Sequence, residues 1–193
     1  MKLADAIRVL VLGDGRRFPV IGTQGLRLLF GGDGDHAFNR GIRRLVAVGL
    51  LERVGRGVYL NRALPDMGME GVGVVARHLR PRRLCYLSYE SALAEFGSIS
   101  QVPMVYLIAT TGNAGEYSTR YGDIEFSHTR RSDVEILRNT VFDERIGLRI
   151  ASPELASGDL RRIRPGNLHL VDEEVHAEVL ADWRSADQGG PHA

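Results

Sequence analysis

The stretch from Asp35 to Leu60 reads DHAFNRGIRRLVAVGLLERVGRGVYL. Phe38, Ile42, Leu45 and Val46 fall at i, i+4, i+7 and i+8, which puts them on one face of a helix. Asp35 is a good N-cap for it, and Gly49 follows the last turn, where a left-handed glycine closes a helix. The opposite face carries His36, Asn39, Arg40, Arg43, Arg44 and Ala47, and His36, Asn39, Arg40 and Arg43 share a single exposed strip. Leu50 to Val54 then reads as a strand, Gly55-Arg56-Gly57 as a turn that permits positive φ, and Val58-Tyr59-Leu60 as the returning strand.

Two shorter helices are predicted upstream. Leu3, Ile7, Leu10 and Val11 mark the inner face of the first, which Gly13-Asp14-Gly15 ends. The second runs from about Thr23 to Phe30, with Thr23 as its cap and Leu26, Leu29 and Phe30 inward, until Gly31 to Gly34 break it. Three helices followed by a tight β-hairpin is the order of a winged helix-turn-helix. The third helix would present Asn39, Arg40, Arg43 and Arg44, with His36, to the DNA major groove, where guanidinium reads guanine and carboxamide reads adenine. Arg56 at the hairpin tip, with Arg53 beside it, suits phosphate or minor-groove contact. The bland alternatives are a solvated basic face and a protein-docking module.

Charge divides the chain in the same way. Residues 1–62 hold 11 basic against 5 acidic groups, a charge of +6, and residues 63–193 hold 14 against 19, a charge of −5. A basic module joined to an acidic remainder fits a nucleic-acid-binding segment attached to a domain of another kind. The boundary falls between Asn61 and Met69, giving a module over 1–62, an α+β domain over 70–184 and a tail over 185–193. The 193 residues, 44% hydrophobic and 25% charged, exclude wholesale disorder. No apolar run approaches the roughly 18–20 residues that span a bilayer, and no secretory leader is visible, so a soluble cytoplasmic protein without a membrane partner is expected. Cys85 is the one cysteine, which excludes an intramolecular disulfide and a thiolate zinc site. Lys2 is the one lysine, which leaves lysine-dependent catalysis almost no candidate.

In the second segment a helix is expected over Glu70 to Leu79, then a strand at Leu84–Leu87 and a helix capped by Ser88 over Tyr89 to Phe96. Strands are expected at Met104–Thr110, Ile124–His128 and Ile146–Ile150, with Gly112 to Gly115 as a turn leading into Glu116–Tyr121. Ser152-Pro153-Glu154 starts a helix, and Val175, Val179, Leu180 and Trp183 mark the last one. The expected class is α+β with a mainly antiparallel sheet. Its chemical candidates are weak. Asp123 and Glu125 could hold a divalent metal, but neither the lysine of a nuclease nor a nearby Gly-Ser pair accompanies them. Ser88 and Ser91 lack a nucleophile elbow, His128 lacks a metal-ligand spacing, and Cys85 lies in an apolar strand. No catalytic residue, metal or cofactor is assigned.

Several stretches together resemble the AbiEi family of antitoxins from abortive-infection (type IV) toxin–antitoxin systems. They are Leu50 to Tyr59; Tyr86-Leu87-Ser88-Tyr89-Glu90-Ser91-Ala92-Leu93 with Gly97 after it; Ala109-Thr110-Thr111; Gly122 to His128; and Ala151 to Ala156 with Asp159-Leu160. They occur in the family's order over most of residues 5–160, and the chain departs at Gly158, where the family continues a good helix former. The resemblance implies a winged helix that binds inverted repeats of double-stranded DNA in its own promoter, as a homodimer, and represses the operon. It also implies a C-terminal domain that neutralises an AbiEii-type nucleotidyltransferase toxin, without requiring a stable complex. The alternative is a stand-alone winged-helix transcription factor whose second domain senses a ligand or mediates dimerisation.

Overall fold

The computed structural model describes residues 2–32 and 34–187. The chain is a mixed α+β protein with two sheets. The first is three-stranded and antiparallel, in the order β1-β3-β2, from β1 (Val20–Gly22), β2 (Leu51–Gly55) and β3 (Val58–Asn61). Three helices accompany it: α1 (Leu3–Ile7), which runs on as a π-helical turn to Leu12, α2 (Thr23–Leu29) and α3 (Asp35–Ala47).

The apolar stripe of α3 is the one its spacing requires. Phe38, Ile42 and Leu45 are buried and pack with Leu26, Phe30 and Leu51. The helix closes at Gly49, which takes φ +75°. There the Leu50 amide donates to the Leu45 carbonyl and the Gly49 amide to the Val46 carbonyl, so the last carbonyls are satisfied as in a Schellman end. The caps differ from expectation. Gly34, not Asp35, is the N-cap of α3, and the Asp35 carboxylate instead pairs with Arg27. Gly22, not Thr23, caps α2, and the Thr23 hydroxyl donates to the Gly57 carbonyl at the hairpin tip. In the first helix Ala6 and Leu10 form the buried seam while Ile7 and Val11 are 40% and 36% exposed. For Val11 the π turn is the reason: bonding i→i+5, as from the Gly13 amide to the Arg8 carbonyl, turns the chain less per residue and carries Val11 off the stripe.

The small sheet is buried on both faces. Ile21, Leu51 and Tyr59 face the helices, whereas Val20, Val54, Val58 and Leu60 join the core of the rest of the chain. Leu51 and Val54, three residues apart, fall on opposite faces by strand alternation, and a bulge follows between Arg53 and Gly55. Asn61, buried at the end of β3, donates from its amide to the Leu10 and Gly15 carbonyls at 3.1 and 3.2 Å, tying the N-terminal turn to the hairpin.

The second sheet has six strands in the order β6-β7-β5-β4-β9-β8. These are β4 (Cys85–Leu87), β5 (Val105–Thr110), β6 (Gly115–Thr119), β7 (Gly122–His128), β8 (Thr140–Asp143) and β9 (Leu148–Ala151). The sheet is mixed rather than mainly antiparallel, because β5 pairs with β7 and β4 with β9 in parallel. The β6–β7 hairpin explains the first of these. With β6 outermost, the returning strand enters beside β5 in the same direction.

Helix α4 (Glu70–Leu79) packs on β1 of the small sheet and on β7 and β9 of the large one. Gly73 permits its close approach: its amide donates to the Ile146 carbonyl, and a Cβ there would lie 2.3 Å from that oxygen. Helices α5 (Tyr89–Glu95) and α7 (Pro153–Ile163) pack on each other. Ser152 caps α7 through the Leu155 amide as expected, and the helix runs through Gly158. Helix α6 (Asp133–Arg138) and strand β8 were not foreseen. The last helix, α8 (Glu173–Asp187), takes in residues 185–187 of the expected tail, and the rest of that expectation, residues 188–193, lies outside the described residues.

Ser88 stands at the N-cap position of α5 but caps nothing. Its hydroxyl donates to Asp159 at 2.9 Å. Asp159 is fully buried and also accepts from the Tyr86 hydroxyl, Arg131 and Arg162 at 3.0–3.2 Å. Burial and the Asp159 charge push the Tyr86 phenol well above its usual range and the Tyr89 phenol up to about 12.

Candidate nucleic-acid interface

Helix α3 and the β2–β3 hairpin enclose a surface groove of about 510 Å³. Asn39 and Arg43 line it from the helix and Arg53 and Arg56 from the hairpin, above a floor of Phe38, Ile42 and Tyr59. Sequence positions far apart therefore converge on one concavity. The convergence is built by the Thr23–Gly57 link: the Thr23 amide and hydroxyl both donate to the Gly57 carbonyl, at 2.8 and 3.2 Å. Gly57 takes φ +74°, and a Cβ there would meet the Thr23 hydroxyl at 2.9 Å, so the hairpin tip needs glycine twice over.

His36, Asn39, Arg40 and Arg43 line a second, shallower depression along the exposed face of α3. Asn39 and Arg43 are common to both. Arg44 is exposed but lines neither, since its position on the helix turns it away from the hairpin. Arg53 folds back, its Nε donating to the Gly55 carbonyl at 3.2 Å, which holds its charge near the tip. Among the described residues, none of Arg40, Arg43, Arg44, Arg53 or Arg56 pairs with a carboxylate, whereas Arg27 and Arg62 do. The groove thus gathers positive charge and directional donors on one side of the molecule.

A larger groove, about 830 Å³, lies on the other side of the same tip. Arg56, Thr23 and Gly57 are shared with the first, and Arg77, His78 and Arg82 of the α4 end complete its basic lining. These three were not foreseen as site residues, because the segment containing them is acidic overall. The signal was the local run from Arg77 to Arg83, in which only Arg80 is buried: it stacks on Phe126, 4.2 Å from the ring centroid, and donates to the Asn113 carbonyl.

All but one of the weak catalytic candidates have partners within the fold. Glu125 pairs with Arg164, and Asp123 is exposed on β7. Ser91 donates to the Val105 carbonyl and accepts the Leu107 amide. His128 bonds the Gly112 carbonyl through Nδ1 at 2.8 Å, and buried Cys85 bonds Thr110. Burial raises the Cys85 thiol above its usual value, which disfavours the thiolate. Among the described residues no three His, Cys, Asp or Glu side chains gather as a metal site would require, and no helix is long and apolar enough to cross a membrane. Comparison of the sequence with protein-family models and with curated proteins finds no match.

Proposed function

We propose that the chain is a sequence-specific DNA-binding regulator whose first 62 residues form a winged helix. In this reading α3 enters the major groove, Asn39 and Arg43 contact base edges, and Arg40, Arg44 and His36 flank them. Arg53 and Arg56 act from the wing on phosphates or the minor groove. The observation that carries it is the convergence of Asn39 and Arg43 with Arg53 and Arg56 on one groove of about 510 Å³. Asparagine and arginine supply the bidentate donors that base reading needs, and the wing arginines supply the charge that phosphate needs. The basic lining continues beyond the tip through Arg77, His78 and Arg82, so phosphate contacts run onto the α4 end. Two copies bind an inverted repeat.

Following the AbiEi resemblance, the regulator is an autorepressing antitoxin whose C-terminal part neutralises a nucleotidyltransferase toxin. Supporting that extension, Tyr86 and Ser88 of one motif meet Asp159 of another in a single buried hydrogen-bond cluster. Two coupled assays test the reading. The chain should repress a reporter driven by its own upstream region, and it should restore growth when a co-transcribed nucleotidyltransferase is expressed. Repression without rescue would leave a stand-alone regulator; rescue without repression would remove the DNA-binding role.

A further inference from the structure

A cavity of about 380 Å³ opens between the C-terminal end of α4 and the β5–β6 turn. Arg80, Arg83, Thr111, Asn113 and Tyr117 line it, and among the described residues no carboxylate does. Arg80 is only 8% exposed, although a buried guanidinium normally sits against a carboxylate. Its Nε donates to the Asn113 carbonyl at 2.7 Å, and its Nη1 donates to the Leu79 carbonyl and the Tyr117 hydroxyl at 3.0 Å. All three acceptors are neutral. Nη2 bonds nothing among the described residues, where the partnerless polar atoms closed to solvent are those of Tyr89 and Glu90, so Nη2 stays open to the cavity.

The fold sets the rest of the wall around it. Pro81 and Arg82, the latter at φ +61°, form the middle of a turn in which the Arg83 amide donates to the Arg80 carbonyl at 3.2 Å. That turn sends Arg82 to the large basic groove and Arg83 to this cavity. Opposite them, the Gly112 amide donates to the Thr110 hydroxyl at 3.0 Å and His128 Nδ1 bonds the Gly112 carbonyl at 2.8 Å, which braces the loop. Gly112 also leaves room for both arginine stems: a Cβ there would stand 3.0 Å from Arg80 Cδ and 3.2 Å from Arg83 Cγ.

Two guanidinium groups on one wall complement a dianion, and their forked donors match phosphate oxygens. A phosphate monoester carries close to two negative charges at neutral pH, whereas a nucleic-acid backbone phosphate carries one. The volume is that of roughly a dozen waters, more than a bare phosphate fills. Thr111 and Asn113 offer polar groups to the body that the phosphate carries.

We propose that the cavity between α4 and the β5–β6 turn binds a small phosphate monoester with a polar body, a phosphorylated polyol or sugar. The phosphate bonds Arg80 Nη2 and the Arg83 guanidinium, and the hydroxyls meet Thr111 and Asn113. None of these four residues carries a contact in the proposed DNA interface, so the two sites stand or fall separately.

Calorimetry on the full chain without DNA tests it at about pH 8, where a monoester is a dianion, and at matched ionic strength. Glycerol 3-phosphate is the probe, dimethyl phosphate stands for a backbone diester, and glycerol is the neutral control. Glycerol 3-phosphate should bind saturably, one per chain, and at least about tenfold tighter than either control. Arg83→Gln, at an exposed position, should weaken it by about tenfold or more. Arg161→Gln, an equal loss of charge at an exposed position outside the cavity, should leave it within about twofold. Dimethyl phosphate binding as tightly as the probe overturns the proposal in favour of a backbone phosphate. The absence of saturation up to about 10 mM glycerol 3-phosphate also overturns it. So does equal weakening by Arg83→Gln and Arg161→Gln, the mark of general attraction to a basic surface.

Discussion

At the scale of single residues, the proposed reading gives the two ends of the groove different work. Arg43 faces the groove from α3, and as a base reader its loss removes a bidentate contact worth about 1–3 kcal/mol. Arg43→Ala should therefore weaken binding to the cognate sequence by about tenfold or more while leaving non-specific binding nearly unchanged. Arg44→Ala should cost less, because Arg44 lines neither depression of the helix face. Arg56 lines both grooves at the tip, and in the proposed reading it acts through charge. Arg56→Ala should lower the slope of log affinity against log salt by about one, measured by titration at several salt concentrations; an unchanged slope would remove the wing from the interface. The placement of the α3 arginines opposite the core stripe is legible in the sequence, because helical periodicity alone separates the two faces. The caps are not. Asp35 and Thr23 are both good capping residues, yet each found a partner distant in sequence, Arg27 for one and the Gly57 carbonyl for the other. Ser88 likewise serves Asp159 instead of the α5 amides. Long-range partners outcompete local propensity and leave no trace in spacing.

At the scale of elements, α3, the hairpin and α4 follow their sequence patterns closely, since each has a full apolar stripe and clear glycine punctuation. The elements that escaped are short. Strand β1 has three residues, and α6 and β8 together span only Asp133 to Asp143. Periods of 3.6 and 2 cannot be told apart over such lengths. The parallel pairings β5–β7 and β4–β9 escaped for a different reason: strand order depends on which edge is free when the chain returns, which no single strand encodes. One element contact gives a sharp prediction. Helix α4 approaches the β8–β9 turn through Gly73, where a Cβ would stand 2.3–2.4 Å from backbone atoms of Ile146 and Gly147. Those atoms belong to the main chain and cannot swing aside. Gly73→Ala should destabilise the protein by about 1–3 kcal/mol in urea unfolding, while a change at Gly158, which faces open space, should not impose such a clash.

At the scale of the whole molecule, the small sheet belongs to two cores at once. Its Val20, Val54, Val58 and Leu60 pack with the C-terminal strands, so the basic face and the acidic remainder are joined by apolar contact as well as by chain. Charge asymmetry located the two parts, but it said nothing of this joint, which arises because both faces of a three-stranded sheet need cover. The buried polar cluster around Asp159 has its own pH signature. The Tyr86 and Tyr89 phenols titrate higher in the folded chain than the ordinary value of about 10. Their stabilisation is therefore full below about pH 10 and is lost as pH rises through the folded values, by at most about 1.4 kcal/mol per pH unit for each group. Urea midpoints should fall between about pH 10 and pH 12, and the fall should be shallower in Tyr89→Phe.

The most direct test of the DNA-binding groove is the affinity of the purified chain for a fragment of its own upstream region, against an unrelated fragment of equal length, at two salt concentrations. The expected result is tighter binding to its own fragment, weakening steeply with salt, with the preference reduced by about tenfold or more in Arg43→Ala. Equal binding to both fragments, or none to either, would contradict the assignment of α3 and the hairpin as a reader of DNA sequence.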